Sequence, residues 1–220
     1  FFGKNNYQIL ETPIPADDPL NWIDTKSYKE RLKIARKKTN QKCAVMIATG
    51  NINGIEVTAG AINFEFIGGS CGAAETEAII YGVQHSIDNQ TPYVFFPCGG
   101  GQRMFESAIA LAGMTRTTLA INELKKNNLP YIVCFTDPTA GGITASFAML
   151  GDVHFAETGC LIAFAGKRVI QATVKEELSA DFQTAEFLEK HGFVDKVINR
   201  KDIPREIGKL LEILLKKNSE

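Results

Sequence analysis

The sequence is short of the residues that usually move protons in enzymes. It holds three histidines in 220 residues, His85, His154 and His191. His85 falls late in a helical stretch, His154 alternates within a strand, and His191 closes a helix, so each reads as structural rather than catalytic. Ser146, in "TASFA", is not on a GxSxG elbow. Net charge is nearly absent, with 24 Lys and Arg against 25 Asp and Glu. That balance gives no reason to expect nucleic acid or an anionic membrane as partner. Charged or polar residues interrupt every apolar run before it reaches spanning length, and no basic-then-apolar leader opens the chain. The five cysteines are Cys43, Cys71, Cys98, Cys134 and Cys160, with no close pair among them. Their odd number and wide spacing argue against a disulfide framework and for a reducing compartment, the cytoplasm. They also argue against a zinc site, so no metal is expected.

What is present is an alternation of strands and helices. Residues 26–41 form a basic helix with apolar Tyr28, Leu32 and Ile34, expected to pack one narrow stripe. "CAVMIAT" (43–49) and "IEVTAGAINF" (55–64) flank "GNING", a hairpin signal. "PYVFF" (92–96) and "PYIVCFT" (130–136) are continuously apolar, which fits strands covered on both faces. Helical stretches precede and separate them, at 74–86 and 103–126. Strand, helix, strand repeated calls for right-handed crossovers. Further on, "GGITASFAMLGD" (141–152) reads as a short helix opened by two glycines, and "VHFAE" and "CLIAFAG" as short strands. In the last helix Ile203, Ile207, Leu210, Leu211, Leu214 and Leu215 recur at helical spacing, after Asp202 and Pro204. The first 22 residues read as a loose arm. No linker or repeat divides the chain, so 1–220 is expected to be a single domain.

Two glycine turns stand out, Gly99-Gly100-Gly101 and Gly141-Gly142, each after a buried strand and before an expected helix. Glycines at a helix start expose N–H groups that the helix cannot satisfy and let a ligand approach the backbone. Such a turn holds a phosphate or an oxyanion. Close helix–sheet packing explains the same glycines, and both readings stay open. A Walker loop is absent, and "GGGQRM" is not GxGxxG. Any chemistry here therefore rests on backbone donors.

Several long segments resemble one family in order. "DPLNWIDTKSYKERLKIARKKT", "FEFIGGSCG", "TDPTAGGITASFAMLGDVHFAE", "LIAFAGKRVIQATVKEEL" and "DFQTAEFLEKHGFVDKVI" are similar to the carboxyltransferase β subunit of bacterial-type acetyl-CoA carboxylase. The resemblance runs from about Asp18 to Arg200. It implies an α/β, crotonase-like spiral of ββα units. It implies transfer of a carboxyl group from carboxybiotin, on a separate biotin carboxyl carrier protein, to acetyl-CoA, giving malonyl-CoA through an enolate held by backbone donors. It also implies a carboxyltransferase α subunit as partner, in an α2β2 assembly. The family's "SGGARMQE" turn aligns with "GGGQRMFE", which implies Gly100 and Gly101 as one oxyanion pair and Gly141 and Gly142 as the other half. Arg103, Gly69, Ser70, Gly72 and Arg168 are then implied at the substrate. The family's four-cysteine zinc ribbon is not found in this sequence, so no zinc is implied here. Departures from the family pattern are Gly99 for Ser, Gln102 for Ala, Phe105 for Gln, Cys71 for Met, Glu75 for a small apolar residue, Thr76 for Gly, Lys167 for Pro and Gln171 for Glu. They keep two alternatives in view, a malonate-decarboxylase-like subunit and a non-catalytic scaffold.

Overall fold

A computed structural model describes residues 1–3, 6–174 and 177–215, with backbone alone for 167, 168 and 174. The opening segment is not a loose arm. Tyr7–Leu10 (β1) forms a sheet edge, paired antiparallel with Val45–Ile52 (β2). Phe1 packs onto Phe96 with ring centroids 5.1 Å apart, and Phe2 packs between Phe1 and Tyr7. Between the two strands runs the basic helix Tyr28–Thr39 (α1). Ser27 caps its start by accepting from Glu30 N, and Asn40 closes it in the left-handed region. Its buried residues are Tyr28, Leu32 and Ala35. Ile34, expected inward, is half exposed, because it falls off the 28–32–35 stripe. Acidic partners meet several of its basic side chains: Arg31 pairs with Asp24, Arg36 with Asp17 and Lys38 with Glu65.

A two-residue turn at Asn53-Gly54, both at positive φ, returns the chain into Ile55–Ile62 (β3), as the hairpin signal predicts. After Ala73–Asp88 (α2) the strands become parallel. Tyr93–Phe96 (β4) lies beside β3, and Ser107–Lys126 (α3) crosses over to Tyr131–Phe135 (β5). Thr139–Ala140 (β6) and Ile162–Ala163 (β8) form a separate two-stranded parallel ladder. Val153–Glu157 (β7) and Lys196–Ile198 (β9) extend the main sheet. Its order is β1-β2-β3-β4-β5-β7-β9. This is the crotonase-like spiral that the resemblance implies. Lys167–Val174 (α4), Ala185–Lys190 (α5) and Ile203–Leu214 (α6) complete the helices. After Gly142 the chain makes turns and a short 3-10 segment, Phe147–Leu150, instead of the expected helix.

The central strands are apolar throughout because both faces are covered. Tyr93, Phe95, Tyr131, Val133 and Phe135 face the core shared with α1, α2 and α3. The alternate residues Val94, Ile132 and Cys134 face a second core, closed by Ile203, Ile207 and Leu211 of α6. This division predicts opposite outcomes along α6. Ile207→Ala, at a fully buried position, lowers unfolding free energy by about 2–5 kcal/mol. Ile213→Ala, on the exposed side, changes it by about 0.5 kcal/mol or less. Chemical denaturation of the two variants checks both.

Candidate active site

Three turn segments meet backbone to backbone at the end of β4. Gly99, at φ 151°, lies against Gly69, so a Cβ there would sit 2.4 Å from Gly69 O. Gly99 is also bridged to Thr139, with Gly99 N donating to Pro138 O and Ala140 N to Gly99 O. Cys71 is bridged to Gln102: Cys71 N donates to Gly101 O, and Arg103 N to Cys71 O. Gly101, at φ 121°, is so close to the second turn that a Cβ would lie 3.2 Å from Gly142 N. The sequence places these turns far apart; the fold presses them together.

Accounting for the N–H groups separates the four glycines implied as catalytic. Gly100 N donates to Gly68 O at 3.2 Å, and Gly141 N to Ala163 O at 3.0 Å and Phe164 O at 3.1 Å. Gly101 N and Gly142 N make no hydrogen bond among the described residues. The free donors are thus one from each turn. Ser146 Oγ donates to Gly142 O, and Thr144 Oγ1 lies 2.8 Å from Gly141 O. These bonds fix the second turn from behind. The expected helix start does not hold either: α3 begins at Ser107, after a 3-10 turn at Met104–Glu106. The helix dipole therefore falls off before it reaches Gly101.

Arg103, implied at the substrate, is buried behind the first turn. Its side chain is 1% exposed and it pairs with Glu75 at 2.8 Å, itself 0% exposed. Arg103 Nη1 donates to Tyr28 Oη at 3.0 Å, Nη2 to Ser70 O, and Nε to Ser70 Oγ at 3.2 Å. Glu106 stands 3.6 Å away and accepts from Tyr28 Oη and from Ala73 N. Glu75 Oε1 also accepts from Ala44 N, and its Oε2 accepts from Gly72 N. With its donors spent, Arg103 is a strut behind the first turn, not a ligand-facing group. Gly72 is a support too, since a Cβ there would run into the Glu106 carboxylate. Gly69 gives close approach to Cys98 and Gly99, and Ser70 anchors Arg103. Arg168 lies in α4, and its side chain is outside the described residues. Burial in this network holds the Tyr28 hydroxyl well above the usual tyrosine range.

The histidines are used in packing. His85 Nδ1 meets Thr58 Oγ1, His191 stacks on Phe187, and His154 Nε2 accepts from Gly151 N while its ring stacks on Phe135. Burial lowers the His154 pKa. Beside the second turn an apolar pocket of about 390 Å³ is lined by Phe164, Phe182, Phe187 and Phe193, with Thr144 and Ala163 on its wall. All five cysteines are free and buried, and among the described residues no cluster of three or more His, Cys, Asp or Glu is placed to hold a metal. No described helix is long and apolar enough to cross a membrane.

A carboxyl transferase domain model matches residues 21–202. Acetyl-coenzyme A carboxylase carboxyl transferase subunit beta of Pelagibacter ubique (strain HTCC1062) is 66% identical over 218 residues, covering 99% of this chain and 71% of the relative. The protein of the same name from Chelativorans sp. (strain BNC1) is 47% identical over 219 residues, covering 100% and 71%. Among solved structures, transcarboxylase 12S with methylmalonyl-coenzyme A and methylmalonic acid bound superimposes with a TM-score of 0.75 at 21% identity, over 96% of this chain and 39% of that one. A Pseudomonas malonate decarboxylase hetero-tetramer in complex with malonate gives 0.72 at 17% identity, over 95% and 78%. At these identities the two structures establish the fold.

Two predictions follow from the geometry. Arg103→Leu leaves two buried carboxylates without their cation and costs about 3–5 kcal/mol, read by denaturant unfolding. The thiols supply the second. Burial pushes Cys43 and Cys160 up to about 12, from the usual 9.0, and raises Cys71 and Cys134 as well. A thiol whose folded pKa is raised contributes stability that is complete below its unfolded pKa and is lost as pH climbs through the folded one. The unfolding midpoint therefore falls as pH rises from about 9 toward about 12, and native chains near neutral pH react slowly with a thiol reagent until denatured.

Proposed function

The chain belongs to the carboxyl transferase family, and from that premise we propose that its two free glycine N–H groups stabilise the enolate of acetyl-CoA as it is carboxylated to malonyl-CoA. The observation that carries this is the contact of the turns at Gly101 and Gly142, each with an unengaged donor. An acyl thioester becomes a carbon nucleophile when a proton leaves the carbon beside its carbonyl, and negative charge then gathers on the carbonyl oxygen. Two N–H dipoles fixed in advance at that oxygen stabilise the charge without reorganising. Holding the thioester at the turns also places its α-carbon for carbon–carbon bond formation.

Carboxybiotin on a separate carrier protein is a substrate here, not a resident group, and supplies both the carboxyl group and the base that takes the α-proton. The chain's own part is to bind, orient and stabilise charge. That division accords with histidines that are engaged in packing. Gly100 and Gly141 contribute by anchoring the turns, their N–H groups being spent on carbonyls within the chain. The bound partners in this reading are a carboxyltransferase α subunit and a biotin carboxyl carrier protein, in an α2β2 assembly in the cytoplasm. Identity of 66% to a carboxylase β subunit, against 17% to a malonate decarboxylase chain, favours this reading over a decarboxylase subunit or a scaffold.

The test is a substitution at Gly101 in the assembled complex. Gly101→Ala cannot keep φ 121° without strain, so its peptide rotates and the donor swings away. Loss of one such donor lowers kcat by about 10²–10³. A stable, assembled Gly101→Ala complex with unchanged kcat would leave the turn as packing alone. A companion measurement addresses the partner: the chain by itself shows no malonyl-CoA decarboxylation with biocytin as acceptor, and adding the α subunit restores it. Full activity from the chain alone contradicts the assembly.

A further inference from the structure

Gln102 follows Gly101 directly, at a position where the resembled family pattern has Ala. Its side chain lies between the two turns. A Cβ placed on Gly142 would be 2.6 Å from Gln102 Cγ, so the second turn rests on the Gln102 stem. With its amide nitrogen facing the carbonyls it meets, Gln102 donates to Cys71 O at 3.0 Å and Ala110 O at 2.9 Å. Cys71 is hydrogen-bonded to Gly101 on one side of Gln102 and to Arg103 on the other, and Ala110 lies in the first turn of α3. One side chain therefore connects the 69–72 segment, the start of α3 and the second glycine turn, while its backbone continues from the first.

We propose that Gln102 is a positioning residue that sets the separation of the Gly101 and Gly142 N–H groups, an inference that rests on reading those groups as the oxyanion donors. Glycines have no side chains by which packing could hold them, so the neighbours must fix their peptides. The two amide bonds lock the carboxamide against fixed carbonyls, and the locked stem forms the floor under Gly142. Without it, the 141–142 turn keeps its backbone contact with Gly101 but loses the side chain packed under Gly142. Gln102 acts through the turns and takes no proton, so it shapes transition-state stabilisation and leaves thioester affinity alone. Displacement of a donor by about 1 Å costs up to about 10²-fold in rate.

The experiment uses the complex assembled with its α subunit and carrier, with Gln102→Ala, the residue of the family pattern, and Gln102→Met, which keeps the stem but loses both donors. Both variants are expected to assemble, with kcat lowered about 10- to 10²-fold and KM for acetyl-CoA within about twofold of the parent, the split expected for an interaction made mainly in the transition state. Amide hydrogen exchange is expected to rise in peptides spanning 99–103 and 139–146 and to stay unchanged in β4 and β5. Wild-type kcat in Gln102→Met reduces Gln102 to a space-filler and overturns the proposal. So does wild-type kcat in Gln102→Ala, or unchanged exchange at both turns. If Gly101→Ala is inactive while the Gln102 variants are normal, only this inference fails. If Gly101→Ala keeps its kcat, the oxyanion reading fails first.

Discussion

The rest of the site depends on one buried cation. Arg103 carries its charge out of water at 1% side-chain exposure, which is tolerable only if each donor finds an acceptor and the charge finds a counter-charge. Its partners come from separate parts of the chain: Tyr28 from α1, Ser70 from the loop after β3, Glu75 from α2, and Glu106 from the turn before α3. None can shift without stranding another. The cluster holds two carboxylates against one guanidinium. The extra negative charge sits at the first turn of α2, where Glu75 and Glu106 accept from Gly72 N and Ala73 N. A helix start offers free N–H groups and a favourable dipole at that place. Arg103 is two residues past Gly101, so what fixes the guanidinium fixes the exit of the first glycine turn.

That network and the packing around it account for three of the departures from the family pattern. Glu75 supplies Arg103 with a fully buried counter-charge and reaches back to Ala44 N and Gly72 N. Phe105 packs on the Tyr28 ring at 5.4 Å and under the Arg31 guanidinium at 5.0 Å. Thr76 fills the space left by Gly113 where α2 and α3 cross. These side chains support the turns from the core side. They read as packing adjusted among neighbours, and that weakens the argument for a scaffold that has lost its chemistry.

The fold was legible where pattern and period coincide. Continuous apolar runs marked β4 and β5, Asn53-Gly54 marked the hairpin, and the 203–207–211 spacing marked α6. The opening segment was misread because β1 is short and half exposed, with no apolar alternation to announce it. The glycine turns were legible as backbone donors, but which N–H groups remain free was not. That depends on carbonyls brought up by the fold: Gly68 O takes Gly100 N, and Ala163 O takes Gly141 N. The resemblance implied Arg103 at the substrate, and only Glu75, Tyr28 and Ser70, distant in sequence, show its side chain engaged behind the turn. The lone aromatic at the start of a basic helix, Tyr28, and an acid at a helix start with no side-chain cap, Glu75, were the available signals.

The position of α3 changes what the glycines must do. Had the helix begun at the turn, its dipole would have supplied positive potential at the donors. It begins at Ser107 instead, and that potential is local to the first helical turn. The field at the thioester oxygen in this reading therefore comes from individual peptide groups, and its strength depends on how rigidly each is held. Glycine is required at Gly101 by φ 121° and by the approach to Gly142 N, yet glycine is also the residue least able to hold itself in place. The two demands are met by dividing the labour: bare backbone where the turns touch, and hydrogen-bonded side chains one layer behind, at Arg103, Ser146, Thr144 and Gln102. A site of this construction needs no nucleophile of its own, but it needs its supporting layer intact.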